Sequence, residues 1–524
     1  MTALPVMAPG PDVRGATTRH GPRILVVGGG LAGITAAVAL RDGGARVTLA
    51  EARPRLGGAT TSFTRGGLTI DNGQHIFLRC CTAYRGLLDR LGMTAGTVLQ
   101  ERFDVRVLTP SSGAARLRRR ALPVPLHLAP ALASYPLLSR TERAGAVRAA
   151  LAFRRLDPAD LATDSKRLGD WLAAHGQGPR ARRRLWDIFV VSALNIAGDD
   201  ASLALAAMVI KTALLSAPGA ADIGVPTVPL GELHGQAAAA LLHKLGATVL
   251  TGAKVAAIAA APGDDGGGGF RVRLGGAGGG EPDGAGEADD EPGHADDGPP
   301  FADGPPFADD GVQHAGEAAP DVGVGGYGAD VRVDGVVLAV PPEQAARLLP
   351  ASAAGPHGTA GDPDRWHGLG ESPIVNVHVV YDRPVTSLRF AAGVGTPVQW
   401  IFDRTQISGC QHGQYLAVSL SAAEEYAGQR TQQLRAEFLP ALEQLLPAAR
   451  AARVMDFFVT RERRATFRQV PGTAALRPGA ATRMDGLALA GAWTNTGWPD
   501  TMEGAVRSGL EAARTIMASL EARR

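Results

Sequence analysis

The chain has 524 residues and a net charge of +2; 45% of its residues are hydrophobic and 20% charged, which is typical of globular proteins and excludes a disordered or fibrous chain. This length exceeds what one hydrophobic core usually serves, so two interleaved or consecutive domains are expected. Three cysteines exclude a disulfide framework and favour the reducing cytoplasm, and no apolar run reaches the roughly 18 residues that span a bilayer.

The small net charge conceals an uneven distribution. Residues 275–330 contain 14 acidic and no basic side chains, so the rest of the chain carries 53 basic residues against 37 acidic ones. A basic body favours an anionic membrane surface, and an ordinary solvated surface is the alternative. The arginine runs at 116–120 and 180–184 lack interleaved aromatic residues, so no nucleic acid partner is expected. We expect a cytoplasmic protein, peripheral on the inner face of the cell membrane.

The N-terminal region predicts a nucleotide-binding unit after a short leader. Residues 1–20 have Pro and Gly where a signal peptide needs an apolar core, which indicates a disordered leader. Within residues 21–99, RILVVGG is an apolar run typical of a buried parallel strand. LAGITAAVALRDGG then has helical composition and ends at a glycine pair, and ARVTLAEA is the second strand.

The middle of the chain divides into two expected parts. Residues 100–225 are predicted to be mainly helical and to begin a substrate domain, with RLWDIFVVSALNIAG and ASLALAAMVIKTALL as a buried helical pair. Residues 226–345 are predicted to return to the nucleotide-binding domain with a helix and a strand. Their segment 275–328, rich in Gly, Asp, Pro and Ala, buries too little apolar surface to become ordered. The flanking FRVRL and DVRVDGVVLAV are predicted to pair as a hairpin across it.

The C-terminal third predicts a sheet followed by a return to the first domain. Residues 346–469 complete the substrate domain, because SPIVNVHVVYD alternates as a half-buried strand should, and VQWIF and YLAVSLS add antiparallel neighbours. A helix is predicted over 422–450. Residues 470–524 supply the strand GLALAGAW and a helix that opens at TMEGAVRSG.

The first turn carries a dinucleotide-binding motif. Gly28, Gly30 and Gly33 form G-x-G-x-x-G between a strand and a helix, where they permit a tight turn, a close approach of the backbone to a pyrophosphate, and close packing of helix on strand. The helix start offers free amides and its dipole to phosphate. Glu51 ends the second strand, where its carboxylate can accept both ribose hydroxyls. This context predicts a dinucleotide site.

The residues after Glu51 indicate which dinucleotide binds. EARPRLGG places Arg53 two residues after the acid and a glycine pair at Gly57 and Gly58, and this spacing resembles the flavin amine oxidase and phytoene desaturase superfamily, in which it follows the FAD-binding unit. The run Asp71–His75 (DNGQH) and the C-terminal TGWPDTMEGAVRSG resemble the bacterial squalene-associated FAD-dependent desaturases, now understood as hydroxysqualene dehydroxylases.

This resemblance implies an α/β fold, in which a discontinuous Rossmann-like FAD-binding domain with a parallel sheet holds an inserted α+β substrate domain with an antiparallel sheet and helices. The C-terminal helix would point its first amides, those of Met502, Glu503 and Gly504, at the flavin pyrimidine edge and stabilise negative charge there. No metal is implied. The implied cofactor-binding residues are Gly28, Gly30, Leu31, Ala32, Gly33, Glu51, Ala52, Arg53, Gly57, Gly58, Val255, Gly491, Met502, Glu503, Gly504 and Ala505.

Two positions depart from the wider superfamily pattern. Ala492 stands where relatives commonly carry an aspartate, and Ala59 stands where many carry an arginine after the glycine pair. We expect FAD to bind nevertheless, through Glu51, the phosphate loop and the helix start at 502–504.

The implied reaction is reductive removal of the hydroxyl of hydroxysqualene to give squalene, with hydride from N5 of reduced flavin. A general acid is required because hydroxide leaves poorly. His75 is the first candidate and Asp500 the second, both from position alone; His75 as a core histidine is the alternative. Asp71 and Gln74 are assigned to substrate, with Asp71 as a turn residue left open. Trp493 and Trp498 could shield the flavin or hold a cation.

Other functions stay open at this stage. A carotenoid or phytoene desaturase would run in the opposite direction, from substrate to oxidised flavin. An amine oxidase would need an aromatic cage, for which six Trp and six Tyr are available. A non-catalytic flavin- and lipid-binding partner of a squalene-forming synthase is the third alternative. No second G-x-G-x-x-G for NADPH is apparent, so a separate, unidentified electron donor is expected.

Overall fold

The computed structural model describes residues 21–110, 113–262, 268–275 and 330–523. The predicted leader at 1–20 lies outside the described residues, as does the predicted disordered segment 275–328 apart from Gly275, which ends a strand. In the described part of the chain, no helix combines the length and apolar character needed to cross a membrane.

The strands of the described residues fall into five sheets. In chain order they are β1 (Arg23–Val27), β2 (Arg46–Glu51), β3 (Ser62–Arg65), β4 (Leu68–Asp71), β5 (Phe77–Leu78), β6 (Thr97–Leu99), β7 (Asp104–Thr109), β8 (Gly113–Arg118), β9 (Ile223–Pro226), β10 (Thr248–Thr251), β11 (Lys254–Pro262), β12 (Gly268–Gly275), β13 (Asp330–Val333), β14 (Gly335–Leu338), β15 (Ser372–Tyr381), β16 (Phe390–Gly393), β17 (Trp400–Asp403), β18 (Gln414–Leu420), β19 (Val454–Thr466) and β20 (Leu487–Leu489).

The helices lie between and after these strands. They are α1 (Leu31–Asp42), α2 (Thr82–Arg90), α3 (Ala129–Ala133), α4 (Arg140–Phe153), α5 (Leu161–Asp164), α6 (Leu168–Ala174), α7 (Pro179–Ala181), α8 (Asp187–Leu194), α9 (Leu203–Leu214), α10 (Ala237–Lys244), α11 (Pro342–Leu348), α12 (Thr405–Ser408), α13 (Glu424–Ala427), α14 (Thr431–Leu445) and α15 (Met502–Ala522). Turns of π-helix at Arg182–Trp186 and Gly231–Gln236 lead directly into α8 and α10.

A parallel sheet in the order β10-β2-β1-β14-β20 joins distant parts of the chain. Alternate residues of its strands enter two cores: Ile24 and Val26 pack with α1 and α15, whereas Leu25 and Val27 pack under the β11–β13 sheet. Burial on both faces explains the continuous apolar run of β1. The predicted α/β fold with a discontinuous parallel sheet is confirmed, and the C-terminal strand returns as expected.

Helix α15 lies directly against α1. A Cβ atom added to Gly509 would lie 2.2 Å from the carbonyl oxygen of Ala32, so only glycine allows this approach. The two helices that open at the predicted cofactor motifs therefore pack side by side on one face of the parallel sheet.

The second large sheet has the order β19-β15-β18-β17-β16-β7-β8 and is antiparallel except where β16 and β7 pair. Val375, Val377 and Val379 face a core that contains α14, while Trp400 and Phe402 pack with helices that include α8 and α9. Strand β15 was expected to be half-buried, and this was wrong, because the sheet is covered on both faces.

Two further local predictions need correction. Residues 100–225 contain the expected helices but also the strands β7 (104–109) and β8 (113–118), which pair as a hairpin and were not predicted; in β7, buried valines alternate with polar residues as in a strand. The helix predicted over 422–450 is broken into α13, α14 and a 3₁₀ turn that begins at Pro447. The predicted hairpin across the acidic segment is confirmed, with Phe270 paired to Val333.

Candidate functional site

The loop after β1 has the geometry of a phosphate cradle. Gly28 has φ +104°, and a Cβ on Gly33 would lie 1.9 Å from the carbonyl oxygen of Gly28, so both positions require glycine. No side chain caps α1. Within the described residues, the amides of Leu31, Ala32 and Gly33 have no hydrogen-bond acceptor, which leaves three donors and the positive end of the helix dipole for an anion.

The second glycine pair closes over this loop. The amide of Gly57 donates to the carbonyl of Gly29 at 2.9 Å, and a Cβ on Gly58 would lie 2.8 Å from the Cα of Gly30. By contrast, a Cβ on Gly30 would meet its nearest neighbour at 3.8 Å, so the fold itself leaves room there. The spare space at Gly30 is what a bound pyrophosphate would occupy.

Glu51 is buried at the end of β2, and its two carboxylate oxygens accept the amides of Gly29, at 2.6 Å, and Arg53, at 2.8 Å. Each oxygen retains a lone pair for a ribose hydroxyl. The carbonyl of Glu51 also accepts the amide of Ala253, which brings the start of β11, and with it Val255, to the same edge of the sheet. Ala52, the neighbour of Glu51, is exposed at this edge.

The returning segment passes this edge through a tight turn. Gly491 has φ +139° and donates its amide to the Ser508 hydroxyl at 2.8 Å. Beyond it, the buried Arg477 donates to the carbonyl oxygens of Ala492, Trp493 and Thr494. Burial lowers the pKa of Arg477 to about 10, so the guanidinium stays charged at neutral pH. One arginine therefore holds the loop that carries Ala492.

The first turn of α15 offers fewer donors than predicted. Thr501 caps the helix, and its hydroxyl accepts the amide of Gly504 at 3.2 Å, while its carbonyl accepts the amide of Ala505. The amides of Met502 and Glu503 have no acceptor in the described part of the chain. The prediction of three free amides is corrected to two, because the N-cap side chain uses the third.

The carboxylate of Glu503 is hydrogen-bonded within the protein and does not point to a ligand. It is buried and accepts the amides of Ala83 and Tyr84 at the start of α2, and Arg507 donates to it at 2.8 Å. The two halves of the expected cofactor site are thus bonded to each other through Glu503.

The DNGQH run folds back beside the glycine pair. Asp71 is buried in β4, and its carboxylate accepts the Ser62 hydroxyl at 2.6 Å and the Leu230 amide at 2.9 Å and forms an ion pair with Arg404. These contacts engage both oxygens of Asp71 within the protein. Asp71 therefore anchors three segments of the chain, which differs from both the substrate contact and the simple turn considered from the sequence.

Several buried polar atoms next to Asp71 have no partner among the described residues. They are both amide atoms of Gln74, Nδ1 of His75, Oδ1 of Asn376 and Nδ1 of His234. An unpaired buried polar atom costs free energy, so such a cluster fits a polar ligand that completes its hydrogen bonds. A hydrogen bond from the Asn376 side-chain amide to the carbonyl of Asn72 at 3.2 Å attaches β15 to this run.

The two candidate proton donors differ in charge state. Burial and the nearby Arg404 lower the pKa of His75, with partial opposition from Asp71, so its imidazole is neutral at neutral pH. Burial raises the pKa of Asp500 to about 6, although the amide of Phe467, which donates to it at 3.0 Å, and the charge of Arg477 act in the opposite direction. A carboxyl group with a pKa of about 6 is about one-tenth protonated at pH 7, so Asp500 keeps a proton closer to neutrality than an ordinary aspartate does.

The two tryptophans have contacts within the protein. Trp493 is buried, donates its indole N–H to the carbonyl of Val340 at 3.0 Å and packs on Trp366 with ring centroids 4.9 Å apart. The guanidinium of Arg507 lies 4.7 Å from the ring centroid of Trp498, so a cation of the protein already covers one face of that ring. This packing favours structural roles over the cation contact expected from the sequence.

Sequence reasoning missed Arg477, Asn376 and His234. His234 shares a 2.8 Å hydrogen bond between its Nε2 and the Tyr84 hydroxyl, and its pKa is lowered to about 3 by burial and by His75. None of these residues belongs to a motif, since each acquires its contacts from long-range packing. The only available signal was the alternation of SPIVNVHVVYD, which places Asn376 opposite the face of the valines.

The chain fits FAD at several independent points: the open space at Gly30, the free amides of α1 and α15, and the unpaired polar atoms of Gln74 and His75. All lie on segments that meet at one edge of the parallel sheet or next to it, as expected for a ligand of an open α/β sheet.

Comparisons with known proteins agree with this geometry. The hydroxysqualene dehydroxylase of Rhodopseudomonas palustris is 29% identical over 497 residues, which cover 94% of this chain and 98% of that protein. The hydroxysqualene dehydroxylase of Sinorhizobium fredii is 27% identical and covers 93% of this chain and 96% of its own length. Cyclohexylamine oxidase from Brevibacterium oxydans, a solved structure, has a TM-score of 0.62 at 19% identity over 96% of this chain and 100% of that one, which shows a shared fold.

The family described as flavin containing amine oxidoreductase matches residues 31–289 and 319–517. The match begins one residue after Gly30 and includes α1, Glu51, the glycine pair at 57–58 and most of α15. The protein is an FAD-dependent oxidoreductase, and its chain belongs to the flavin containing amine oxidoreductase family.

Proposed function

We propose that this enzyme removes the hydroxyl group of hydroxysqualene reductively and releases squalene. The similarity to two hydroxysqualene dehydroxylases over nearly the whole chain supports this substrate. The observation that carries the proposal is Asp500, a carboxyl group with a pKa raised to about 6 that directly precedes the cap of the flavin-facing helix. A reductive dehydroxylation needs a proton donor at such a place, whereas a desaturase does not.

The reaction replaces a C–O bond by a C–H bond. Bound in its reduced form, FAD supplies the hydride that the carbon receives. Asp500 donates its proton to the departing oxygen, which leaves as water, because hydroxide is a poor leaving group. The allylic carbon delocalises the positive charge that develops as this bond breaks.

Asp500 rather than His75 is the proposed acid. One oxygen of Asp500 accepts the Phe467 amide, and the other has no hydrogen-bond partner among the residues that the structure describes. The amide of Asp500 donates to the side chain of the buried Gln469 at 3.1 Å, which fixes the backbone at this point. His75, neutral and with an unpaired Nδ1, is proposed to orient the flavin or the substrate hydroxyl by hydrogen bonding, together with Gln74.

The cofactor is held by the loop at Gly28–Gly33, by Glu51, by the glycine pair and by the free amides of Met502 and Glu503. The C30 isoprenoid chain is proposed to bind beside the apolar core around α8 and α9, which adjoins the sheet that carries Asn376. The boundaries 99/100, 225/226, 345/346 and 469/470 are proposed as the limits of the two domains. A separate electron donor and a peripheral membrane contact belong to the same proposal.

One anaerobic experiment distinguishes the proposed function from the alternatives. Purified protein with chemically reduced FAD should convert hydroxysqualene to squalene, as measured by gas chromatography. A carotenoid-type desaturase would instead bleach oxidised FAD when a phytoene-like polyene is added. A lipid-binding partner without catalysis would bind hydroxysqualene and give neither result.

A further inference from the structure

A groove of about 250 Å³ opens where β6 and β9 meet the starts of β7 and β16. Val98, Leu388 and Phe390 form its apolar wall, and Asp104, Arg106 and Arg389 contribute its charged groups. Val98 is 43% exposed, which is unusual for a large apolar side chain in this protein. The groove therefore combines an open apolar wall with guanidinium groups.

The carboxylate of Asp104 does not neutralise the positive charge of Arg106 and Arg389, the two arginines that line the groove. Asp104 forms ion pairs with Arg116 and Arg118 on the neighbouring strand. Arg106 and Arg389 have neither an ion pair nor a side-chain hydrogen bond within the described ranges. Two guanidinium groups are thus available to an anion from outside the protein.

The register of the β7–β8 hairpin places further positive charge beside Arg106. Arg106 lies directly opposite Arg116 in the antiparallel pair of β7 and β8, and like charges at such positions destabilise a sheet. Arg118 lies on the same face two residues further along, paired in register with Asp104. An anionic ligand would reduce this repulsion and so offset the cost of placing two arginines opposite each other.

We propose that this groove binds the phosphate head group of an anionic phospholipid and docks the enzyme on a membrane surface. The planar guanidinium groups of Arg106 and Arg389 match phosphate oxygens, and Val98, Leu388 and Phe390 contact the first carbons of the lipid chains. Surface attraction of arginines to anionic lipid strengthens such a contact. The inference names the membrane partner of the proposed function and rests on it, since the proposed substrate is a hydrocarbon that dissolves in bilayers.

The position of the groove suits delivery of that substrate. Val98 in β6 pairs with Val225 in β9, and β9 pairs in turn with β5, where Phe77 lies opposite Gly224. Strand β5 begins two residues after His75. A lipid held at the groove would therefore be one short sheet away from the unpaired polar atoms of the cofactor site.

The test is sedimentation of the FAD-loaded protein with vesicles of phosphatidylcholine alone or of equal parts phosphatidylcholine and phosphatidylglycerol. We expect binding to the anionic vesicles, and at least tenfold weaker binding for the double variant R106Q/R389Q and for Val98→Asp. The control R450Q/R463Q removes the same charge from two exposed arginines outside the groove and should bind as the unaltered protein does. Unchanged circular dichroism and flavin content show that the variants are folded.

Equal binding of R106Q/R389Q and the unaltered protein would overturn the inference. Binding of inorganic phosphate that R106Q/R389Q abolishes, together with no binding to anionic vesicles, would also overturn it, because the site would then serve a soluble phosphate. Turnover of hydroxysqualene in detergent micelles separates this inference from the proposed function. It should be the same for all variants, and its absence in the unaltered protein contradicts the function without affecting the vesicle result.

Discussion

The carboxylate of Glu503 accepts the backbone amide of Tyr84 at 2.7 Å, a hydrogen bond between residues 419 positions apart. The same carboxylate accepts the amide of Ala83, so the C-terminal helix caps the helix that follows the DNGQH run. Because Glu503 is the second residue of α15, this contact fixes the start of the helix whose free amides are proposed to face the cofactor. The N-terminal and C-terminal motifs thus depend on each other through one buried side chain.

Replacement of Glu503 by alanine should lower the free energy of unfolding by about 3–5 kcal/mol, because it leaves the charge of Arg507 and two buried amides without their partner. Glu503→Gln should cost less, since its carbonyl oxygen still accepts one amide. Chemical denaturation followed by circular dichroism measures both. Glu511→Gln, which affects an exposed pair with Arg514, is the control and should change little. Equal stability of the Glu503→Ala and control variants would contradict this role.

Arg477 is expected to compensate for Ala492 by holding the loop at 492–494. Arg477→Met removes hydrogen bonds to three carbonyl oxygens and should weaken FAD binding at least tenfold in reconstitution of the apoprotein, followed by quenching of flavin fluorescence. The FAD affinity of Arg477→Lys should lie between those of Arg477→Met and the unaltered protein, because one ammonium group cannot bond to all three carbonyl oxygens. The exposed Arg483 provides the control Arg483→Met. If Arg477→Met retained as much FAD as Arg483→Met, the loop at 492–494 would keep its conformation without Arg477, which contradicts this role.

Two glycines of the phosphate loop should respond differently to alanine. Gly33→Ala should fail to fold or unfold at a much lower temperature, because the new Cβ would overlap the carbonyl of Gly28. Gly30→Ala should fold, since its Cβ meets no atom closer than 3.8 Å and its φ of −76° suits any residue. It should nevertheless lose FAD, because the Cβ fills the space assigned to pyrophosphate. A folded Gly30→Ala protein with normal flavin content would contradict that assignment.

Asp500 predicts a specific dependence on pH. Its pKa of about 6 in the folded protein lies above the value of 3.8 for an ordinary aspartate, so its stabilising contribution is full at low pH and lost as pH rises through 6. The melting temperature of the unaltered protein, relative to that of Asp500→Asn, should therefore fall between pH 4 and pH 7. A difference that does not vary with pH would contradict the raised pKa.

The same group should control turnover. The protonated fraction of Asp500 falls about tenfold for each pH unit above its pKa, so kcat for squalene formation should decline above about pH 6 with that slope. Asp500→Asn should lower kcat at least a hundredfold and abolish this decline while FAD stays bound. His75→Ala should lower kcat but keep the decline, and the reverse pattern would assign the proton to His75.

The features that could be predicted from the sequence are those that depend on residues close together in the chain. The apolar run of β1 and the glycines at 28, 30 and 33 specify a strand, a turn and a helix start by their own geometry, and the second glycine pair approaches them as expected. The hairpin β7–β8 was missed although the valines of β7 alternate with polar residues, because β8 contains glycine and alanine and has no β-branched or aromatic residue.

The site residues that sequence reasoning missed depend on long-range contacts. Arg477 is a single arginine in a loop, and only burial beside three carbonyl oxygens gives it a role. The order of the two proton-donor candidates changed for the same reason, since burial lowers the pKa of a histidine and raises that of an aspartate. The loss of the Gly504 amide to Thr501 could have been predicted, since a threonine that caps a helix commonly accepts the amide three residues later.

The most direct test of the account is a single turnover in D₂O under anaerobic conditions, with FAD on the protein reduced chemically before hydroxysqualene is added. We expect one squalene for each flavin oxidised, with one deuterium on the carbon that lost the hydroxyl, detected by mass spectrometry. Flavin that stays reduced while no squalene forms, or a polyene that reduces oxidised flavin instead, would contradict reductive dehydroxylation.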